Sequence, residues 1–283
     1  MVGSEQNEDR FHDEDPFGFT VRYAFGMKQI MWNPWHGCHP YSKGCQNCFM
    51  RRADERYGRD PDRITKSKAG FDLPLKKDRQ GNWKIPSGSL VSVCFNSDFF
   101  IEEADSWRTE AWRMMKIRSD LRFCIPTKRV LRMQQCLPKD WGNGYSNVTF
   151  ALSVESQRAA KERIDAFLKI PCFCRQIFAA PLLEEIDLLP WLKTGQIALV
   201  SVAGESGLKA RVCQFSWMET IYQACRKTKT RFVIHQTGRN FVKDGRLYQI
   251  QKKDQFSQAR KAESYLRRKH RIEQPALFGP EDG

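Results

Sequence analysis

The chain has 283 residues and is 41% hydrophobic, enough for one large domain or two ordinary ones without disulfide staples. No secretory apolar segment follows Met1 and no run approaches about 18 consecutive apolar residues, so a cytoplasmic protein off the membrane, its ten cysteines reduced, is expected. The net charge of +14 is uneven: residues 226–271 hold fifteen Lys and Arg against Asp244, Asp254 and Glu263. A polyanionic partner, most simply nucleic acid, is expected there, the plain alternative being a solvated basic face.

In chain order, residues 1–20 read as a disordered acidic leader, with Glu5, Glu8, Asp9, Asp13, Glu14 and Asp15 against Arg10. A short run at residues 28–32 is a candidate first strand, and the stretch WNPWHGCHPYSKGCQNC (residues 32–48) follows it. It places Cys38, Cys45 and Cys48 on one loop as C-x6-C-x2-C. A structural zinc site closes with four protein ligands, and here only His36 or His39 could be the fourth, in a tightly doubled loop. Three thiolates on a 4Fe-4S cube leave one iron open, which suits a site that must bind and activate a small molecule. An open iron–sulfur site, zinc and plain structural thiols all remain in play for the loop at this point.

Six β-rich runs then alternate with helical spacing: residues 90–96, 121–127, 147–153, 175–181, 197–203 and 230–236. Helical apolar spacing marks residues 102–118, 156–169, 185–193 and 216–227. Alternation of this kind predicts βαβ units and a parallel sheet covered on both faces. Reactive groups in such folds gather at the C-terminal ends of strands. Those ends read Asn96-Ser97-Asp98, Thr127-Lys128-Arg129, Ser153-Val154-Glu155, Pro181-Leu182-Leu183, Gly204-Glu205-Ser206-Gly207 and Gln236-Thr237-Gly238. Helix N-caps account for some of these polar residues. They do not account for Lys128 beside Arg129, or for Glu155 and Glu205 directly after apolar runs. His235 and Gln236 end the last run, and a histidine placed so is more often a satisfied core residue than a catalyst. Cys94 and Cys124 lie within strand runs, where packing is the plainer role.

The cysteine stretch, together with CFNSDFF, PTKR, LSVES, APLLE, VAGESG and FVIHQTG in that order, resembles a radical-SAM-like, phage-associated three-Cys-motif family, itself distantly similar to spore photoproduct lyases. The resemblance covers most of the chain. It implies an α/β fold, a partial TIM-type (β/α)6 barrel over residues 21–240 with the cysteine loop after the first strand. It further implies a 4Fe-4S cluster on Cys38, Cys45 and Cys48, with S-adenosyl-L-methionine (SAM) across the strand ends. By that analogy Ser97, Asp98, Ser153, Glu155, Gly204, Glu205 and Ser206 hold SAM, and Lys128 and Arg129 face an anionic substrate. The chain departs from the superfamily's commonest pattern in the six-residue first interval, in Asn47 before Cys48 with the aromatic Phe49 after it, and in Asn96-Ser97-Asp98 where glycines are usual.

Residues 241–272 read as a basic helical extension, with Phe256 and Tyr265 among its cations, suited to a phosphate backbone. Residues 273–283 read as a flexible tail, in which Gln274, Leu277 and Phe278 resemble a sliding-clamp docking peptide. The expected activity is a SAM-dependent radical enzyme acting on nucleic acid or a nucleotide. The competing expectation is a zinc-stabilised nucleic-acid-binding protein without redox chemistry.

Overall fold

The structure is a computed structural model and describes residues 29–272; the acidic leader and the clamp-like residues Gln274, Leu277 and Phe278 lie outside the described residues. The chain opens with β1 (Gln29–Trp32), β2 (Trp35–His36), α1 (Phe49–Arg56) and β3 (Thr65–Lys66). It continues through β4 (Leu90–Val93), α2 (Asp105–Ile117), β5 (Arg122–Thr127), α3 (Val130–Met133), β6 (Val148–Ser153) and α4 (Gln157–Lys169). Next come β7 (Cys174–Ala179), α5 (Leu189–Leu192), β8 (Leu199–Ala203), β9 (Val212–Gln214) and α6 (Phe215–Lys227). It ends with β10 (Arg231–Gln236), β11 (Asn240–Lys243), β12 (Arg246–Gln249) and α7 (Gln255–Ile272).

Seven strands form one parallel sheet in the order β1-β4-β5-β6-β7-β8-β10, curled into a half-barrel. The six expected runs are all strands, and the short run before the cysteine loop adds the seventh at the sheet edge. Register sorts the side chains by period two. Val91, Phe123, Ile125, Phe150, Leu152, Ile177, Val200 and Phe232 share the convex face and form the main core with Trp112 and Met115 of α2, Ile164 and Phe167 of α4, and Met218 and Ile221 of α6. Its centre is aromatic: Phe150 lies 5.4 Å from the Trp141 ring and 5.8 Å from Phe100. Each such pair contributes about 0.5–1.5 kcal/mol beyond area burial.

The concave face differs from the expectation of a sheet covered on both sides. It carries Leu90, Cys124, Ala151 and Cys174 as a small separate cluster, and Gln29, Gln176 and Ser201 line a cavity against it. A curled sheet encloses space on its concave side, and small or polar residues leave that space unfilled.

Three further differences have local causes. The expected helix at residues 185–193 shrinks to the single turn α5, because Pro190 suits a first turn and cannot donate further along. Residues 240–249 are not helical but form the hairpin β11–β12, turned by Asp244 and Gly245 at φ 50° and 74°, and β11 pairs with β9. The insertion between α1 and β4 is fastened by Arg118, which is 1% exposed. Its guanidinium donates to the carbonyls of Pro74 and Ile85 and to both Asp120 carboxylate oxygens.

That guanidinium holds the Asp120 carboxyl down at about 2, against an ordinary 3.8. A depressed folded-state value stabilises the fold above the unfolded value and ceases to do so as pH falls through the folded one. Asp120→Asn is therefore expected to be less stable than the parent at pH 7, with the gap closing between about pH 4 and pH 2. Urea unfolding across that range checks it, and a gap independent of pH would contradict the pairing.

Candidate functional site

The cysteine loop leaves β1, makes a single 3-10 turn at Lys43–Cys45, and enters α1 at Cys48, its N-terminal cap residue. Residues at the strand ends grip it mainly by its backbone carbonyls. Ser97 Oγ donates to the carbonyl of Gly37 at 2.5 Å, Arg129 Nη2 to that of His39 at 3.0 Å, and Arg211 Nη2 to that of Lys43 at 3.1 Å. From α1, Arg51 Nη1 donates to the Cys38 carbonyl at 2.9 Å. The Asn47 side-chain amide donates to Glu205 Oε2 at 2.9 Å and to the Lys209 carbonyl at 2.8 Å. The Tyr41 ring has the Arg129 guanidinium 5.2 Å and the Arg163 guanidinium 5.3 Å from its centroid.

The three buried acids of the strand ends are fully engaged. Asp98 accepts from Thr127 Oγ1 at 2.8 Å and from the N–H groups of Lys128 and Phe100 at 3.1 and 3.0 Å. Glu155 takes both Arg163 terminal nitrogens, at 2.9 and 3.2 Å, with both side chains almost wholly buried. Burial alone would raise the Glu155 carboxyl, but the Arg163 hydrogen bonds and charge outweigh it and hold it below the usual range. Glu205 is handled alike: burial pushes up, while the Arg211 guanidinium and backbone N–H and the Asn47 amide bring it down. Glu155 and Glu205, both held down, stay ionised at neutral pH and position other groups.

A cavity of about 1390 Å³ runs along the concave face. At the rim it is lined by Gly44, Cys48, Phe49, Arg52, Lys128 and the turn Gly204-Glu205-Ser206. Of the residues predicted to hold SAM, Gly204, Glu205 and Ser206 reach this cavity, and of the predicted substrate cations Lys128 does. Ser97, Asp98, Ser153 and Glu155 instead build the seat of the loop, Ser153 through its carbonyl, which accepts from Arg163 at 2.9 Å. Arg129 folds back onto Tyr41 and the His39 carbonyl.

Gly204 has a packing reason to be glycine. A Cβ there would collide with the Thr237 carbonyl oxygen and crowd Gly238, at the point where the ends of β8 and β10 meet. Gly204→Ala is expected to lower stability by about 1–3 kcal/mol, as overpacking does. Chemical denaturation checks this, and a neutral result would reassign Gly204 to the cavity alone.

Sequence reasoning missed Arg52. It lies one turn into α1, and its guanidinium occupies the space that a side chain on Gly207 would take. Its Nε is buried with no hydrogen-bond partner, and among the described residues no carboxylate pairs with it. The only sequence signal was a basic residue four positions after Cys48, too common to mark a site.

The three thiols are free and partly buried. Burial, then the Asp98 charge, pushes the Cys38 thiol up to about 12 against the opposing pull of Arg129. The Tyr41 N–H points to Cys45 Sγ at 3.3 Å, and Cys48 faces the cavity. In the chemistry of the donor set, three thiols on one loop fit a cluster with an open coordination position, and Arg52 shares the cavity lining with Cys48. Among the described residues, no three His, Cys, Asp or Glu side chains are gathered as a ready-made site for a metal ion. The histidines considered as a fourth ligand are held by carboxylates: His36 Nε2 lies 2.7 Å from Asp54, and His39 Nε2 2.5 Å from Glu103 with Nδ1 3.5 Å from Asp62.

The fold and site define a parallel α/β half-barrel with a three-cysteine loop clamped across its strand ends. A family profile described as protein of unknown function, DUF5131, matches residues 26–270, and the chain belongs to that family. No curated protein and no solved structure matches the chain. Among the described residues no helix is long and apolar enough to cross a membrane.

Proposed function

We propose that the protein is a 4Fe-4S, SAM-dependent radical enzyme of the partial-barrel kind that acts on nucleic acid or a nucleotide. One observation carries the reading. Three free thiols sit on a loop gripped by its backbone across the C-terminal ends of a parallel half-barrel, with Cys48 and Phe49 opening onto a large cavity. Cys38, Cys45 and Cys48 would hold the cluster. When bound, such a cluster with one open iron supplies the reductive cleavage of SAM, a hydrogen-abstracting chemistry that no side chain here provides.

The protein's own residues do the rest. Phe49, 51% exposed beside Cys48, offers an aromatic face to an adenine from the position after the third cysteine. Ser206 and the backbone of Gly204 are the polar groups nearest to hand for the cofactor's amino-acid end or ribose. Lys128 and Arg52 supply positive charge to an anionic ligand. Glu155, Glu205, Ser97 and Asp98 fix the loop so that the thiols keep their places when the cavity fills. His39 has both ring nitrogens on carboxylates, Nε2 on Glu103 and Nδ1 on Asp62, which supports this reading over a zinc site closed by that ring.

The test is to reconstitute the protein with iron and sulfide without oxygen, reduce it, add SAM, and assay 5'-deoxyadenosine. Release that depends on the reconstituted cluster supports the enzyme. SAM binding without release would leave a scaffold that has lost the chemistry.

A further inference from the structure

The cations that line the cavity are spread from one end of it to the other. Arg52 and Lys128 stand at the cysteine rim. Arg226 lies at the opposite end, at the close of α6 just before β10 begins; Arg260 stands on the wall formed by α7, and Lys252 on the connection that leads into it. None of these five is in a direct ion pair with a carboxylate among the described residues, although the Lys128 charge reaches Glu155. The two acids that line the cavity are already used: Glu205 by Arg211, and Glu263 by Arg267 at 2.7 Å and the Ile234 N–H at 2.9 Å.

α7 owes its placement to a buried stripe of Gln255, Ala259, Ala262, Leu266 and His270, which seats it on the sheet edge and turns Phe256, Arg260 and Ser264 toward the cavity. Phe256 is 42% exposed, with the Arg260 guanidinium 4.6 Å from its ring centroid. From Phe256 to Arg267 the helix wall is about 17 Å long at 1.5 Å per residue. The six residues of β10 span a similar length, about 20 Å at 3.3 Å per residue. The phosphates of one mononucleotide cannot meet cations separated by such a length. A chain of phosphates can, with bases free to stack on Phe256, Phe95 and Phe49 along the same track.

We infer that the cavity seats a single strand of nucleic acid, its backbone following the α7 wall from Arg226 past Arg260 and Lys252 toward Arg52 and Lys128, so that one nucleotide is delivered to the cysteine loop. The inference deepens the substrate class proposed above and rests on its nucleic-acid part, independently of the cluster.

The experiment is fluorescence anisotropy of the full chain with a labelled 12-nucleotide DNA strand, its RNA counterpart, the same sequence as duplex, and a polyglutamate peptide of equal charge. Both single strands are expected to bind, more tightly than duplex or peptide, and a mononucleotide should compete at least 100-fold less well than the strand. With five unpaired cations engaged, log affinity should fall against log salt with a slope of about −3.5, at about −0.7 per contact. Arg260→Ala, Lys252→Ala and Arg226→Ala should each weaken binding on the order of fivefold at low salt and reduce the slope by about 0.7. Lys261→Ala and Arg268→Ala, exposed on α7 but outside the cavity lining, should do neither.

Equal loss in those two controls, equal binding of polyglutamate or duplex, or full competition by a mononucleotide would overturn the inference. Repeating the titration with the Cys38→Ala, Cys45→Ala, Cys48→Ala variant separates the two readings. Strand binding is expected to survive in that variant, and its loss would overturn a strand site that stands without the cluster; in the reconstituted parent, strand binding without release of 5'-deoxyadenosine would sink the radical chemistry and leave the strand site standing. Loss of strand selectivity in a protein that still cleaves SAM would do the reverse.

Discussion

Replacing Cys38, Cys45 and Cys48 together by Ala is expected to abolish bound iron and sulfide, about four of each per chain in the parent protein purified without oxygen. Stability in the absence of cluster should change little. The loop is held by its carbonyls, the Tyr41 ring, Arg51 and Asn47, and its contacts through sulfur are weak ones, the Tyr41 N–H to Cys45 Sγ and the Cys38 thiol to the His39 carbonyl. The Cys48 side chain makes no capping hydrogen bond to α1, and Cys38 only flanks the core. The single variants should behave like the triple one, because removing any thiolate leaves an iron of the cube without its ligand. Metal analysis with circular dichroism reads both halves of the expectation. About one zinc and no sulfide in the parent would overturn it and leave a zinc-stapled binding protein.

Glu155→Ala carries the largest expected cost to the fold. The Glu155–Arg163 pair is buried on both sides, and removing one partner strands a buried guanidinium, at about 3–5 kcal/mol. The effect should extend to the site, because Arg163 also flanks the Tyr41 ring, and Gly44 of the loop packs against the Glu155 side chain. Iron retention is therefore expected to fall with stability, even though Glu155 touches no thiol. Glu155→Gln, which keeps shape and some hydrogen bonding, should recover much of the iron and less of the stability. A pH series adds a sign. The Glu155 carboxyl is held below its ordinary 4.5, so its contribution is complete above that value and disappears as pH falls through the lowered one. The difference between parent and Glu155→Ala should shrink on acidification, as read by denaturant unfolding. A difference that persists at low pH would show that lost packing, not the ion pair, sets the cost.

The parallel strands were legible because both the convex face and the buried concave face leave few charges inside them: VTFALS of β6 is buried at every position. The polar strand ends were legible for the same reason, since charge directly after an apolar run stands out. What each polar group does was not legible. Glu155 and Glu205 look like ligand-binding acids in sequence, yet Arg163 and Arg211, eight and six residues later, consume them. Arg52 and the α7 cations could not be assigned to one cavity without knowing that the sheet curls and where α7 docks on it. The hairpin β11–β12 did leave a signal, the Asp244-Gly245 pair between short strand-like runs, which the surrounding lysines and arginines concealed as a basic helix.

The grip on the cysteine loop also bears on how freely its sequence can be rewritten. Every residue has a carbonyl, so a clasp made on the carbonyls of positions 38, 39 and 43 does not depend on the side chains there, whereas position 37, at φ 93° and against the Arg63 carbonyl, must stay glycine. Such a loop resembles an interchangeable cartridge. Its spacing between thiols, and the polar groups it shows to a ligand, can be exchanged while the frame that receives it stays the same. The six-residue interval between Cys38 and Cys45 is one setting of that cartridge, and loops of other thiol spacing should graft onto the same half-barrel.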